Sequence, residues 1–354
     1  MTTYRIGISG LRRGTSLAQV MALQPDCEVA AACDPDPGTL ESFGKRFPQA
    51  RLFAAYGEML QAGLDVVVVA SPVPEHCAQT VAALEAGCHV LQEVCLASTV
   101  EECQRIHQVV RAHPRQRFML AENCCYWAHI LSWQGMWRQG LLGDLLYAEA
   151  EYIHDVRSLM RRADGSPTWR AALPPILYCT HSLGPLLKVT GERCVSACGL
   201  ATPSRLDPGP EHLDLEVGLF RTASGATIKI LAGFRVVREP AFHYYSVYGT
   251  RGCLETARPP AAPKTHAFLS AVEHLQTMIE IPLGTDVPRA PSGAAVGGHG
   301  TAEYYMARDF MEAVRAGVEP ALGITAALEM SLPGLCAHQS ALQGGKPMEI
   351  PDWG

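Results

Sequence analysis

The stretch DVVVVAS at residues 65–71 constrains the fold most. Four successive valines are far too few to span a bilayer, and β-branched residues favour strands over helices. A strand apolar on both faces needs cover on each side, the condition met inside a parallel sheet flanked by helices. The flanking sequence supplies that cover. YRIGIS, CEVAAACD, CHVLQE and RFMLAE read as further strands. SLAQVMALQ, PGTLESFGKRF, Tyr56 to Ala62, PEHCAQTVAALEAG (closed by Gly87) and STVEECQRIHQVVRAH read as helices between them. Strict alternation of the two predicts an N-terminal doubly wound parallel sheet of Rossmann type over residues 1–123. Ligands of such sheets bind outside the carboxyl ends of the strands.

The pattern changes after that point. A helix, HILSWQGMWRQGLLG, is followed by long alternating segments: LLYAEAEYIH, CVSACGLAT, LDLEVGLFRTASGATIKILAGF and AFHYYSVYGTRGCLETA. Ser-Gly in FRTASGATIKIL and the glycines Gly249 and Gly252 mark hairpin turns. Residues 257–300, rich in Pro, Gly and Ala, predict long loops. TAEYYMARDFMEAVRAG and ITAALEMSLPGLCAHQSAL predict late helices, the second packing back on the first domain. Residues 124–354 are therefore expected to form an α+β domain on a large, open, mainly antiparallel sheet. Its open face suggests a homo-oligomer. A chain of 354 residues is also long for one core.

Composition excludes several classes. A net charge of −6 without a basic, aromatic-rich patch argues against nucleic acid as a partner. No apolar run reaches membrane-spanning length, so no membrane is expected. The thirteen cysteines are scattered, with no CxxC and no Cys/His spacing of a zinc site, so no metal is expected. The N-terminus enters a strand directly, and a reducing cytoplasm with buried thiols is the expected setting.

Strand, glycine turn, helix, then an acid at the end of the next strand is the logic of dinucleotide binding. Gly10 and Gly14 supply the turn, and Asp34 stands where ribose hydroxyls are bound, which favours NAD over NADP. The middle glycine of the usual motif is missing. Arg12 and Arg13 are instead candidates for phosphate, and they keep NADP open. Ser71, Pro72 and His76 follow the valine strand and Glu93 follows the next, so all four are candidate cofactor contacts at strand carboxyl ends.

The segment DVVVVASPVPEHCAQTVAALEAGCHVLQEV resembles the Gfo/Idh/MocA oxidoreductases. That resemblance implies a Rossmann domain, an open-sheet second domain, NAD and a small carbohydrate or glycoside as substrate. Members carry a lysine in an EKP motif beside the nicotinamide; here QEVCLA puts Val94 at the lysine position and Cys95 at the proline position. A narrower branch, the NAD-dependent redox glycosidases resembling α-N-acetylgalactosaminidases, shares that change. EVCLASTVEECQ, AENCCY, YIHD, YCTHSLGP and GGHG are similar to its segments, in the same order.

With the lysine absent, Tyr178 and His181, three apart around a helix start, are the candidates for moving protons. The branch implies C3 oxidation of a sugar, elimination across C1–C2, water addition and re-reduction. By position in the resemblance, Tyr152 is a candidate base for C2 and Glu122 orients a hydroxyl or ribose. Tyr244 or Tyr245 and His299 are expected to touch sugar. Trp169 and Arg170 are a candidate substrate clamp. His154 is expected to partner Asp155, Cys124 and Cys125 to pack, and Tyr126 to stand at the lip of the site. A conventional sugar or cyclitol dehydrogenase and a non-catalytic sensor remain the alternatives.

Overall fold

The computed structural model describes residues 3–259, 264–282 and 289–353. By contacts the chain divides into two units, Met1–Tyr126 with Pro288–Leu328, and Trp127–Val287 with Glu329–Gly354.

The first unit follows the alternation: β1 (Tyr4–Ser9), α1 (Leu11–Ala22), β2 (Cys27–Cys33), α2 (Pro37–Arg46), β3 (Arg51–Phe53), α3 (Tyr56–Leu60), β4 (Val66–Val69), α4 (Val73–Glu85), β5 (His89–Gln92), α5 (Val100–Ala112) and β6 (Phe118–Leu120). The strands form one parallel sheet in the order β3-β2-β1-β4-β5-β6. All four valines of β4 are fully buried, as a two-faced apolar strand requires. Asp36 caps α2 and Thr99 caps α5, each side chain accepting from a backbone N–H of the first turn.

The second unit begins with α6 (Ala128–Arg138), β7 (Leu145–Ile153) and α7 (Thr180–Thr190). It continues with β8 (Cys194–Pro203), β9 (Leu213–Thr222), β10 (Thr227–Gly233), β11 (Phe242–Gly249), β12 (Gly252–Thr256), β13 (Thr265–Leu269) and β14 (Ile279–Ile281). The chain then enters α8 (Ala302–Ala316) of the first unit. It ends with α9 (Ile324–Leu342), whose residues fall in both units, and β15 (Met348–Glu349). The second sheet runs β14-β13-β12-β11-β7-β10-β9-β8-β15. Among the described residues only β7 and β10 pair in parallel; the other neighbours in this sheet are antiparallel. On β9 and β10, alternate residues are buried, among them Phe220, Ile228 and Ile230, so one face forms the core.

Two expectations about the chain are corrected. Residues 257–300 are not simply loops, because β13 and β14 extend the second sheet there. A single cut at 123/124 also fails. α8 returns to the first unit, where it packs on α1 and on the 3-10 turn Asn123–Tyr126.

Candidate functional site

In the first unit the site grows from the end of β1. Gly10 has φ +81, and its N–H donates to the Cys33 carbonyl at 2.9 Å. A Cβ here would lie 2.4 Å from the Ala70 carbonyl oxygen and 2.5 Å from Ser71 Cα, so the junction of three strand ends admits only glycine. Helix α1 begins at once and has no capping side chain on Gly10. Asp34, just past β2, is fixed at the same turn. Its two carboxylate oxygens accept from Leu11 N at 2.9 Å and from Asp36 N at 3.0 Å. Beyond it lies a depression of about 480 Å³ lined by Arg12, Thr15, Asp36, Thr39, Ser42 and Arg46. The hydroxyl of Ser71 is buried without a hydrogen-bond partner among the described residues. Pro72 forms the N-cap of α4. A helix N-terminus, an acid on the neighbouring strand and an unsatisfied hydroxyl at the carboxyl ends together fit a dinucleotide.

Three expectations for this turn are corrected. Gly14 is inside α1 and not in the turn; a Cβ there would come within 2.6 Å of Ile8 Cγ2, so its work is close helix-to-strand packing. Arg13 is not left for phosphate. Its Nε donates to Glu93 Oε1 at 2.8 Å and another guanidinium nitrogen pairs with the fully buried Glu303. His76 is a satisfied core histidine. Its ring nitrogens lie 2.7 Å from the Cys95 carbonyl and 2.9 Å from that of Ser71, and burial pushes its pKa down.

Glu93 also accepts from Val94 N at 3.2 Å, and the Val94–Cys95 peptide is cis. Glu122 is fully buried, and its carboxylate accepts from Cys124 N at 3.0 Å, bracing the 3-10 turn that follows. Cys124 and Cys125 are buried. Tyr126 is also buried and does not form a lip. Its hydroxyl donates to Asp309 of α8 at 2.5 Å, and burial, then Asp309, push its pKa well up. His299 Nδ1 lies 2.9 Å from Glu303, so it shares a carboxylate with Arg13.

In the second unit, the side chains expected to do chemistry converge on one face of the sheet. Tyr152, near the end of β7, stacks on Tyr178 with ring centroids 6.0 Å apart. His181, in the first turn of α7, is 5.5 Å from each of those rings. Arg170 donates to the Tyr178 hydroxyl at 2.8 Å, and its guanidinium lies 4.3 Å from the Trp169 ring. The clamp pair is thus joined to the tyrosine–histidine group.

One contributor, His243, carried no sequence signal; Tyr245 was one of two alternatives, and Tyr244 and His154 lie elsewhere than expected. His243 on β11 meets Tyr152 at 4.9 Å and His181 at 5.9 Å. Tyr245 donates its hydroxyl to the His181 carbonyl at 2.5 Å and so pins the start of α7. Tyr244 points to the opposite face, where Arg258 sits 3.9 Å above its ring and pairs with Glu151. It is removed from the site because neighbours on a strand point to opposite sides. His154 does not partner Asp155, whose carboxylate is held by Arg157 at 2.6–3.1 Å. Its Nδ1 lies 3.1 Å from the Tyr152 hydroxyl. Period-two spacing was the available signal, since residues 152 and 154 share a side of an extended chain and 154 and 155 do not.

A parallel sheet with a glycine turn and strand-end acid, in one chain with a sheet that carries a tyrosine–histidine cluster, is the make-up of a dinucleotide-dependent oxidoreductase. Residues 4–121 match the family described as "Oxidoreductase family, NAD-binding Rossmann fold" (Gfo/Idh/MocA). A protein from Solibacter usitatus named "Glycosyl hydrolase family 109 protein" is 27% identical, over 99% of this chain and 88% of its own length. Among solved structures, a levoglucosan dehydrogenase in complex with NADH and levoglucosan superposes with a TM-score of 0.85 at 18% identity, covering 99% of this chain and 100% of that one. A myo-inositol 2-dehydrogenase from Lactobacillus plantarum does so with a TM-score of 0.77 at 19% identity, with 99% and 100% coverage. Residues 4–121 thus carry an NAD-binding domain of the Gfo/Idh/MocA type, and the chain is an NAD-dependent oxidoreductase.

Proposed function

We propose that this enzyme cleaves glycosides without net oxidation, using NAD that stays bound. The observation that carries the reading is the cluster of Tyr152, Tyr178, His181 and His243 on one sheet face, in a chain with Val94 at the usual lysine position. The similarity to a protein named as a family 109 glycosyl hydrolase supports it.

When bound, NAD would supply a hydride acceptor and donor for C3 of the sugar. The residues of the chain do the rest. Asp34 would bind the ribose hydroxyls, and the α1 N-terminus would hold the pyrophosphate. Trp169 and Arg170 hold the sugar, and Arg170 keeps the Tyr178 oxygen in place. His181 moves the proton of the reacting hydroxyl or of the leaving group. Once C3 is a ketone, the C2 proton is acidic and Tyr152 removes it. The C2–H electrons form the C1–C2 double bond and the C1 substituent leaves. Water then adds to C1. No pair of carboxylates flanking the glycosidic bond is needed, unlike ordinary glycosidases. Glu122 and His299 orient polar groups around the first unit's strand ends.

A second reading, a conventional sugar or cyclitol dehydrogenase, is favoured by the solved neighbours named as dehydrogenases. Aryl glycosides incubated with the purified enzyme and only stoichiometric NAD separate the two. Aglycone release over many turnovers without accumulating NADH is expected. Stoichiometric NADH without aglycone release would replace the first reading with the second.

A further inference from the structure

We propose that His154 accepts the proton of Tyr152 and thereby makes the phenol oxygen the base for the sugar C2 proton. The inference rests on the glycoside-cleaving reading and adds a residue to it. A neutral phenol is a poor acceptor for a carbon-bound proton, so a base behind it is needed.

The geometry provides one. Tyr152 lies near the end of β7 and His154 just beyond it, with the hydroxyl 3.1 Å from Nδ1 and the rings near perpendicular at 74°. Asp155 does not hold His154 as an imidazolium, because Arg157 occupies that carboxylate through its backbone N–H and its guanidinium. The charged and titratable groups around His154 are Glu239, Asp155, Arg170 and His181, besides Tyr152. Burial is the largest influence and lowers the imidazole pKa; Arg170 and His181 act the same way, and Glu239 and Asp155 oppose them. These influences favour the neutral imidazole, and in its Nε2–H tautomer the Nδ1 lone pair accepts from the Tyr152 hydroxyl.

The proton balance closes. The C2 proton moves to the Tyr152 oxygen as that oxygen's own proton moves to Nδ1, leaving an imidazolium. The C2–H pair becomes the C1–C2 π bond. The C1–O bond breaks, and the leaving oxygen takes that pair and the proton that His181 took from the C3 hydroxyl. Water then adds at C1 and gives its spare proton to His181, and the relay runs backward. His154 returns its proton to Tyr152, which protonates C2.

Two measurements test this on the full chain with bound NAD. Long-range ¹⁵N–¹H correlation reads the tautomer of His154. An unprotonated Nδ1 is expected, and an Nδ1–H form would overturn the relay without reference to any sugar. Second, incorporation of solvent deuterium at C2 is followed in wild type, His154→Phe and His154→Asn, with NADH absorbance on mixing as the readout of the separate hydride step. His154→Phe should slow C2 exchange by about 10²-fold while NADH forms within a few-fold of wild type. Asn accepts a hydrogen bond but no proton, so it should not rescue. Wild-type exchange matched by His154→Phe sinks the relay alone. A wild type that forms NADH yet exchanges nothing at C2 sinks the glycosidase reading and the relay with it.

Discussion

Among single residues, His129 has the clearest thermodynamic signature. It packs among Trp127, Trp133 and Tyr245, and its Nε2 has no hydrogen-bond partner among the described residues. Burial pushes its pKa down to about 4. An unfolded chain returns it to about 6.5, so between those values only the unfolded state takes up the proton. Stability should thus be insensitive to this group above pH ~6.5 and fall by about 3 kcal/mol as pH drops to ~4. Urea unfolding of wild type and His129→Phe at neutral and acidic pH checks this; equal acid sensitivity in the two proteins would refute it. Single residues also mark where the sequence was legible. Tyr178 and His181 lie with ring centroids 5.5 Å apart, as a spacing of three at a helix start allows. Tyr244 and Tyr245 could not be assigned, because both faces of β11 are covered: Tyr244 is 7% exposed and Tyr245 1%. Where neither side meets water, alternation carries no information.

At the level of elements, the β1–α1 turn and the end of β2 act as one device. Asp34 holds the first N–H of α1 and is also the residue assigned to ribose. Asp34→Ala should therefore weaken NAD binding and narrow the preference over NADP by about tenfold, the equivalent of ~1.4 kcal/mol. Calorimetric titration with both cofactors checks this, and an unchanged ratio would leave Asp34 as a helix cap alone. The helices and strands of the first 120 residues were readable because their periodicities are long and unbroken. β13 and β14 escaped because they are short, five and three residues, and lie in a Pro- and Gly-rich region where composition hides alternation. The position of Gly14 within α1 escaped because a helical glycine looks like a turn until the strand it packs against is known.

At the level of the whole chain, the first unit is discontinuous. Residues after 288 complete it: Leu322 accepts from Leu120 N, Asp309 accepts from Tyr126, Gly317 accepts from Arg117, and Glu303 pairs with Arg13. A fragment ending at Tyr126 would expose these groups. It should show poor amide dispersion in NMR, and joining residues 289–328 through a short linker should restore it. A well-dispersed spectrum of the fragment alone would mean that the first sheet is self-sufficient. The ninth strand of the other sheet, β15, likewise comes only at Met348–Glu349. During synthesis, then, the first unit cannot finish before Leu328 has left the ribosome, nor the second before Glu349, and a stop codon ahead of residue 289 should cost the cell both halves at once.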